Sequence, residues 1–278
     1  MYCMLDLNFV ETTLMKKNLR LVAAVFLLVL SGFSYPSAIE EEQEGNRRTL
    51  SFSRAKTLLH KEVFSDVKTR TTFYCGCKYG ENLRVDFESC GYVPGKQKKR
   101  AERVEWEHVV PASIFGRHFE EWTIGNPECI TRSGKRYRGR RCASKTSRPF
   151  RLMEADMYNL VPSVGEINAV RSNYPFTEKR GDERPYGKCD FRIRNRKAEP
   201  TDSIRGVIAR IYMYMDSAYP GFDIVNESNF KMFEKWDQLH PVSPEECRRK
   251  KLIEKIQGNK NHIVAKRCKK LENVQKQK

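Results

Sequence analysis

The chain of 278 residues lacks several features that would fix its class at once. Its apolar run, Leu21 to Leu30, is about half of the roughly 20 residues that a membrane-spanning helix needs. There is no internal repeat and no long low-complexity segment, which excludes repeat architectures. Acidic residues are scarce, with 35 Asp and Glu against 52 Lys and Arg.

The shortage of acidic residues gives the chain a formal net charge of +17. A surface with this charge attracts polyanions over a distance set by salt screening. Nucleic acid is the first candidate partner, although anionic glycans and acidic membranes would feel the same field. The composition therefore indicates a polyanionic partner without naming it.

The apolar run lies in a segment that is typical of export signals. It follows the basic stretch Met15–Arg20 and precedes small residues, so we expect a signal peptide over residues 1–38, cleaved between residues 34 and 38. The true start could be Met15. Residues 39–49 are polar and charged and predict a solvated arm. We expect a periplasmic or secreted bacterial protein that does not stay inserted in a membrane.

Removal of the leader takes away Cys3 and leaves eight of the nine cysteines, an even number that predicts disulfides in an oxidising compartment. They are Cys75, Cys77, Cys90, Cys129, Cys142, Cys189, Cys247 and Cys268. We expect four bridges, and Cys247 with Cys268 is the favoured pair because these two bracket one C-terminal unit. Zinc is the alternative, but Cys75-Gly76-Cys77 has one intervening residue and no matching second pair.

Residues 50–278 are long enough for a single domain with a sizeable core. Apolar residues at helical spacing predict helices over residues 53–63, 112–119, 152–160 and 203–218. Ser228 and Ser243 can each cap a further helix, and Gly258 is placed to stop the second of them. Short strands are predicted over residues 71–77, 83–87 and 104–110. The pattern indicates an α+β domain that is mostly helical.

A basic loop is predicted over residues 132–151, which contain nine Lys and Arg and no acidic residue. Gly134 and Gly139 interrupt any regular period there. Cations in a loop can position phosphates without reading bases. The residues chosen for nucleic-acid binding are Lys135, Arg136, Arg138 and Arg141.

Glu107 and His108, together with Asn159 on a second segment, could hold a hard cation beside a general base. His108 can accept a proton from water because imidazole titrates near neutral pH. Glu107 and Asn159 offer the oxygen ligands that Mg²⁺ prefers. Neighbours in a regular strand point to opposite faces, but a strand end that leads into a turn can relax this alternation. The arrangement suits phosphodiester hydrolysis.

Longer motifs carry a resemblance to a known family. Val104–Phe115 (VEWEHVVPASIF) and Asp156–Asn168 (DMYNLVPSVGEIN), with YCGCKY at 74–79, closely resemble the bacterial secreted or periplasmic endonuclease I family. The match covers nearly the whole mature chain. It implies a disulfide-stapled domain with a ββα-metal (His-Me finger) active site. It also implies a nuclease of little sequence preference that acts on DNA and often on RNA.

The resemblance implies a role for each matching residue. Glu107 and Asn159 would bind one Mg²⁺, for which Mn²⁺ or Ca²⁺ could substitute, and His108 would be the general base. The family's arginine at the scissile phosphate matches Arg140, and a gap of one residue would move that role to Arg141. Products should carry a 5′ phosphate and a 3′ hydroxyl, and we expect a monomer.

Two other classes of function are the alternatives. A secreted basic protein that binds nucleic acid or anionic glycan with a vestigial active site would share the charge and the export signal. A serine hydrolase is disfavoured because no Ser-His-Asp order is present. The remaining histidines, His60, His118, His240 and His262, have no acidic or amide partner in a recognised pattern and are interpreted as surface or capping residues.

Overall fold

The computed structural model describes residues 45–178 and 183–276, so the expected signal peptide lies outside the described residues. Within these ranges, none of the helices combines the length and the apolar character that a membrane crossing requires. The short helices of the first half are α1 (Phe52–Leu58), α2 (Lys98–Ala101), α3 (Ala112–Gly116), α4 (Glu120–Thr123), α5 (Arg140–Thr146), α6 (Arg148–Glu154) and α7 (Gly165–Arg171). The longer helices of the second half are α8 (Asp202–Ala218), α9 (Glu227–Leu239), α10 (Pro244–Gln257) and α11 (His262–Lys276).

The strands form two antiparallel pairs. β1 (Val104–His108) pairs with β2 (Leu160–Val164) in the register His108 opposite Leu160. β3 (Arg192–Arg194) pairs with β4 (Lys197–Glu199). The expected α+β domain, mostly helical with short strands, is confirmed for the described residues.

Helix α7 starts directly after β2 ends. The paired strands β1 and β2 are therefore followed at once by a helix. Its first residue is Gly165, where a Cβ atom would lie 2.4 Å from the main-chain oxygen of Arg100 and 3.1 Å from that of Arg103. Only glycine lets the helix begin this close to the segment that leads into β1. The close approach places the first turns of α7 beside β1.

The core is built around α8, and the predicted helix over residues 203–218 is confirmed. Ile208, Ala209 and Met215 on α8 are fully buried. Tyr212 stacks on Phe233 of α9 with ring centroids 4.4 Å apart. The apolar stripe is therefore core, as its helical period predicts.

Capping signals define the ends of α9 and α10. The Ser243 side chain accepts a hydrogen bond from the amide of Glu246, and Gly258 ends α10 at φ 88°, both as predicted. Helix α9 differs, because Asn226 rather than Ser228 is the capping residue and forms a reciprocal pair with Asn229.

The strands predicted over residues 71–77 and 83–87 are not formed as ladders. The structure has isolated bridges there, Thr71 with Lys78 and Tyr79 with Val85. The chain turns back at Gly76, which has φ 67° and whose amide donates to the oxygen of Thr72. A reversal inside the segment leaves too few residues for a strand.

Two helices, α5 and α6, separated by Ser147 occupy residues 140–154, where the sequence predicted a basic loop up to residue 151 and a separate helix over 152–160. Ser147 caps α6 by accepting from the amide of Phe150, with a proline in the first turn. Helix α6 ends at Glu154, a 3₁₀ turn spans Met157–Asn159, and β2 follows at once. Neither the cap at Ser147 nor the end of α6 at Glu154 could be predicted, because both lie in stretches of polar or mixed composition.

All eight cysteines of the described residues form four disulfides, as expected. Cys247 pairs with Cys268 and joins α10 to α11, so the favoured pairing is confirmed. The other bridges are Cys75–Cys189, Cys77–Cys90 and Cys129–Cys142. The first of these closes a separation of 114 residues.

The end of the predicted arm is buried rather than solvated. The side-chain amide of Asn46 donates to the main-chain oxygens of Thr49 and Leu152 at 2.7 and 2.8 Å. Its backbone amide donates to the Tyr219 hydroxyl at 2.8 Å. Asn46 is therefore part of the domain, because its hydrogen bonds tie it to α6 and to the end of α8.

Asp156 connects four parts of the domain through a buried carboxylate. Its Oδ1 accepts from the amide of Tyr158 at 3.0 Å and from Gln257 at 2.9 Å. Its Oδ2 accepts from the hydroxyls of Tyr214 and Tyr219 at 2.7 and 2.8 Å. Burial raises the pKa of Asp156, and the four donors oppose that shift.

We expect Asp156→Ala to lower the free energy of unfolding by about 3 kcal/mol, because buried donors on Tyr214, Tyr219 and Gln257 lose their acceptor. Urea denaturation followed by circular dichroism measures the loss. Asp66→Ala is the control, since Asp66 is an exposed cap and should cost about 1 kcal/mol. Equal losses for the two variants would show that the buried Asp156 carboxylate stabilises the fold no more than the exposed Asp66 carboxylate does.

Candidate active site

One cleft of about 810 Å³ collects three of the four residues that the sequence proposed for catalysis and metal binding. Its walls come from α1, β1, the start of α3, Arg140 at the start of α5, and α7. Glu107, His108 and Arg140 all line it. The strand end at β1 therefore brings a carboxylate and an imidazole to the same cavity.

His108 is buried at the end of β1, with 6% of its surface exposed. Its Nε2 lies 2.8 Å from the main-chain oxygen of Glu154, so Nε2 carries the proton and donates it. The Phe52 ring covers the imidazole at 4.8 Å between centroids. Burial, followed by the charge of Arg140, lowers the pKa of His108 to about 3. The imidazole is thus neutral near pH 7, with Nδ1 left as the proton acceptor.

Arg140, and not Arg141, faces the cleft. Its Nε donates to Glu154 Oε1 at 2.6 Å, while 44% of its side chain stays exposed. Arg141 instead stacks its guanidinium over the Tyr137 ring at 4.4 Å. Of the two arginines that the sequence left open, Arg140 is the one that lines the cleft.

Glu154 holds both of these residues, a part that the sequence did not indicate. Its main-chain oxygen accepts from His108, and its carboxylate accepts from Arg140 and from the hydroxyl of Ser144 at 2.8 Å. One residue at the end of α6 thereby fixes the spacing between imidazole and guanidinium. The sequence did not indicate this role of Glu154, because the role depends on the tertiary contacts between α5, α6 and β1.

Glu107 is buried, and its contacts use one oxygen. Its Oε1 accepts from the Tyr74 hydroxyl at 3.1 Å and lies 3.0 Å from a guanidinium nitrogen of Arg171. Oε2 takes no part in these contacts. Burial raises the pKa of Glu107 to about 7, and the charge of Arg171 opposes this.

Arg171, at the end of α7, binds the end of β1 through several contacts. Besides Glu107, it donates to the main-chain oxygens of His108 at 2.8 Å and Val109 at 2.5 Å. Its side chain has no exposed surface, and its guanidinium lies 4.7 Å from the Phe176 ring centroid. No pattern in the sequence pointed to Arg171, which ties helix α7 to both Glu107 and His108.

Asn159 does not reach the cleft, which differs from its predicted role as a metal ligand. It is fully buried, its Oδ1 accepts from the amide of Val110 at 2.7 Å, and its Nδ2 donates to the oxygen of the same residue at 3.0 Å. Both polar ends of the amide are committed. Asn159 therefore shapes the turn after β1 that presents His108.

Asn168 is the asparagine that lines the cleft. It lies in the first turn of α7, and its Nδ2 donates to Glu105 Oε2 at 2.9 Å. This contact leaves its Oδ1 without a hydrogen bond among the described residues. The motif Asp156–Asn168 contains both asparagines, so the sequence alone could not choose between them.

The donors in the cleft fit a hard cation that is held by few protein ligands. No group of three or more His, Cys, Asp or Glu within residues 45–178 and 183–276 could hold a metal. Glu107 and Asn168 each offer a carboxylate or amide oxygen, the ligand type of Mg²⁺. Water and a substrate phosphate would complete such a coordination sphere.

The four cations chosen for nucleic-acid binding are exposed but lie outside the cleft wall. Lys135, Arg136, Arg138 and Arg141 are all on the surface near the Cys129–Cys142 bridge. Arg138 donates to the main-chain oxygen of Thr123 at 2.8 Å. They can attract a polyanion, but the described structure does not place them against the imidazole.

A neutral imidazole beside a solvent-exposed guanidinium suits the attack of water on a phosphodiester. These features define the protein as a nuclease. The Endonuclease I family model matches residues 51–268. The chain therefore belongs to the endonuclease I family.

Curated relatives resemble most of the chain. An extracellular deoxyribonuclease of Aeromonas hydrophila is 39% identical over 80% of this chain and 99% of that protein. A periplasmic deoxyribonuclease of the same organism is 41% identical over 71% of this chain and 79% of its own length. Endonuclease-1 of Buchnera aphidicola subsp. Acyrthosiphon pisum is 38% identical over 71% of this chain and 74% of that protein.

The two asparagines give a direct test of the ligand assignment. We expect Asn168→Ala to raise the Mg²⁺ concentration needed for half-maximal cleavage at least about tenfold, because one oxygen ligand is lost. Asn159→Ala should instead lower the free energy of unfolding by about 1 to 3 kcal/mol, because the backbone of Val110 loses both partners. Metal titrations of the cleavage rate and urea denaturation separate these outcomes. The reverse pattern would return the ligand role to Asn159.

Proposed function

We propose that the protein is an exported, Mg²⁺-dependent endonuclease that cleaves DNA and RNA without sequence preference. The observation that carries this proposal is the neutral, proton-accepting His108 in one cleft with Arg140 and Glu107. Relatives that are named as extracellular and periplasmic deoxyribonucleases support both export and DNA as substrate. The net charge of +17 supports a polyanionic substrate.

In the proposed mechanism, the chain's own residues move one proton and stabilise one charge. His108 accepts a proton from the attacking water at Nδ1, while its Nε2 stays bonded to Glu154. Arg140 donates to the nonbridging oxygens of the scissile phosphate, and Glu154 keeps its guanidinium in place. A bound Mg²⁺ would supply charge for the phosphate and the leaving 3′ oxygen. The P–O3′ bond breaks as the water oxygen bonds to phosphorus, and the leaving 3′ oxygen takes a proton from solvent, so the products carry a 5′ phosphate and a 3′ hydroxyl.

Lack of sequence preference follows from the kind of contact. Arg140, Glu107 and His108 engage phosphate, metal and water, and these contacts carry no base information. RNA is included because phosphate contacts do not distinguish the sugar, for which a protein must read the 2′ hydroxyl.

The test uses purified, oxidised protein with supercoiled plasmid DNA and with single-stranded RNA, in Mg²⁺ or in EDTA. We expect metal-dependent nicking and then linearisation of the plasmid, and degradation of the RNA. Retarded migration of uncut DNA in both buffers would instead support the alternative of a basic binding protein. Cleavage that is unchanged in EDTA would remove the metal from the proposal.

A further inference from the structure

The cleft continues past His108 along α1 and the π-helix (Leu59–Val63) that extends it. This wall presents Phe52, Lys56, Thr57, His60 and Lys61 to the cavity. The sequence placed no substrate contact here and assigned phosphate binding to the basic loop. The structure therefore offers a second set of cations, which lies beside the imidazole itself.

Lys56 and Lys61 are free to bind an anion. Within residues 45–178 and 183–276, neither ammonium group makes an ion pair or a side-chain hydrogen bond. Arg100 on the same cleft differs, because Glu105 holds its guanidinium at 2.8 and 2.6 Å. A cation that has no carboxylate partner keeps its attraction for an incoming phosphate.

Lys56 lies next to the reacting groups. Its Nζ is 4.7 Å from the centroid of the Phe52 ring, and the Arg140 guanidinium carbon is 5.1 Å from the same centroid. The Phe52 ring in turn lies 4.8 Å from the His108 ring. Two cations thus converge on the aromatic ring that covers the imidazole.

The π-helix of Leu59–Val63 extends this surface by another turn. Its wider turn is closed by the amide of Phe64, which donates to the oxygen of Leu59 at 2.8 Å. Single turns of this kind are frequent at functional sites. Here the turn leaves both His60 and Lys61 on the cleft side, after Lys56 on α1.

We propose that Lys56 and Lys61 bind consecutive phosphates of the substrate strand, with Lys56 at the scissile phosphate and Lys61 at a flanking one. The strand then runs along α1, and the residues of the basic loop other than Arg140 add only long-range attraction. This inference rests on the proposed nuclease function. It names the surface that positions the strand, which the family match does not.

A chemical double-mutant cycle tests the contact of Lys61. Short single-stranded DNA carries one neutral methylphosphonate at a time, and cleavage at every other bond is read on a sequencing gel. Lys61→Gln and the neutralised flanking phosphate should each slow cleavage of the neighbouring bond about tenfold. Together they should slow it no further, since they remove the same contact. Multiplying effects at every position, or an unchanged rate for Lys61→Gln, would overturn the proposal.

Lys135→Gln is the matched control, since it removes the same charge from the basic loop. Its effect should multiply with that of each methylphosphonate and should shrink as salt is raised. Thermal melting of both variants verifies that the fold is retained, which we expect because Lys61 and Lys135 are exposed.

Binding separates this inference from the proposed function. If the wild-type protein fails to cleave in Mg²⁺, the nuclease proposal fails, and fluorescence anisotropy of labelled DNA in EDTA still tests the surface. Lys56→Gln with Lys61→Gln should weaken binding at least about tenfold more than Lys135→Gln with Arg136→Gln, which removes equal charge. Equal weakening would mean that net charge alone holds the strand.

Discussion

We expect His108→Ala to lower the cleavage rate about 100- to 10,000-fold while DNA affinity is kept. The Nε2 proton of His108 is held by the main-chain oxygen of Glu154, which leaves Nδ1 to accept a proton from water. Its low pKa, about 3, keeps it neutral at the pH of the assay. Initial rates of plasmid nicking in Mg²⁺ and anisotropy in EDTA measure the two quantities separately.

His118→Ala is the matched control, since His118 is an exposed histidine that lies outside the cleft wall. Its cleavage rate should stay within about twofold of wild type, because surface substitutions rarely change stability by more than about 0.5 kcal/mol. Should His108→Ala keep more than a tenth of the wild-type rate, another group must take the proton from water. A joint loss of binding and fold in His108→Ala would point to a structural role.

The meeting of the imidazole and the carboxylate in one cleft could be predicted from the sequence because both lie in one short segment. The end of β1 is set by local pattern, with Pro111 after it, and this places Glu107 and His108 at the same cavity. The second segment was harder. Asn159 and Asn168 occur in one motif, and only the 3₁₀ turn and the early start of β2 send the first into the interior.

The residues that hold the site together could not be predicted from local sequence patterns. Glu154 meets His108 across a separation of 46 residues, and Arg171 meets it across 63. Neither pairing has a spacing rule, because both depend on how α6 and α7 pack against β1. The long helices α8 and α10 show the opposite case, since their apolar period and caps act within a few residues.

The proposed phosphate contacts of Lys56 and Lys61 illustrate that the local density of cations in the sequence is a poor guide to their position in the fold. The basic loop contains nine cations, of which Arg140 is part of the cleft wall, whereas Lys135, Arg136 and Arg138 are not. Lys56 and Lys61 stand in a segment of ordinary composition and reach the cleft because α1 crosses it. Position relative to the imidazole, rather than the local count of cations, decides which residues can touch the scissile phosphate.

We expect Arg171→Met to abolish measurable cleavage and to lower the free energy of unfolding by about 3 to 5 kcal/mol at neutral pH. The substitution leaves the Glu107 carboxylate buried without its cation and frees the main-chain oxygens of His108 and Val109. Glu107 then takes up a proton, because burial already raises its pKa to about 7 even with Arg171 present. Urea denaturation and nicking rates measure the two effects.

The pH dependence of stability follows from the sign of this shift. A carboxyl whose folded pKa lies above its unfolded value of 4.5 binds more protons in the folded state, so stability falls as pH rises through the folded pKa. Removing Arg171 raises that pKa further. In EDTA, the unfolding free energy of Arg171→Met should therefore fall more steeply between pH 5 and pH 8 than that of the wild type.

A second substitution separates positioning from mere stability. In Glu107→Gln with Arg171→Met, the buried charge is gone, so much of the lost stability and the steep pH dependence should be recovered. Cleavage should stay absent, because the carboxylate offered to the cation and the grip on the end of β1 are both missing. Arg171→Lys keeps the charge but loses the multiple donors, and it should recover stability more than rate. If Arg171→Met cleaved at the wild-type rate, the end of β1 would hold its geometry without α7, and Arg171 would be a structural residue only.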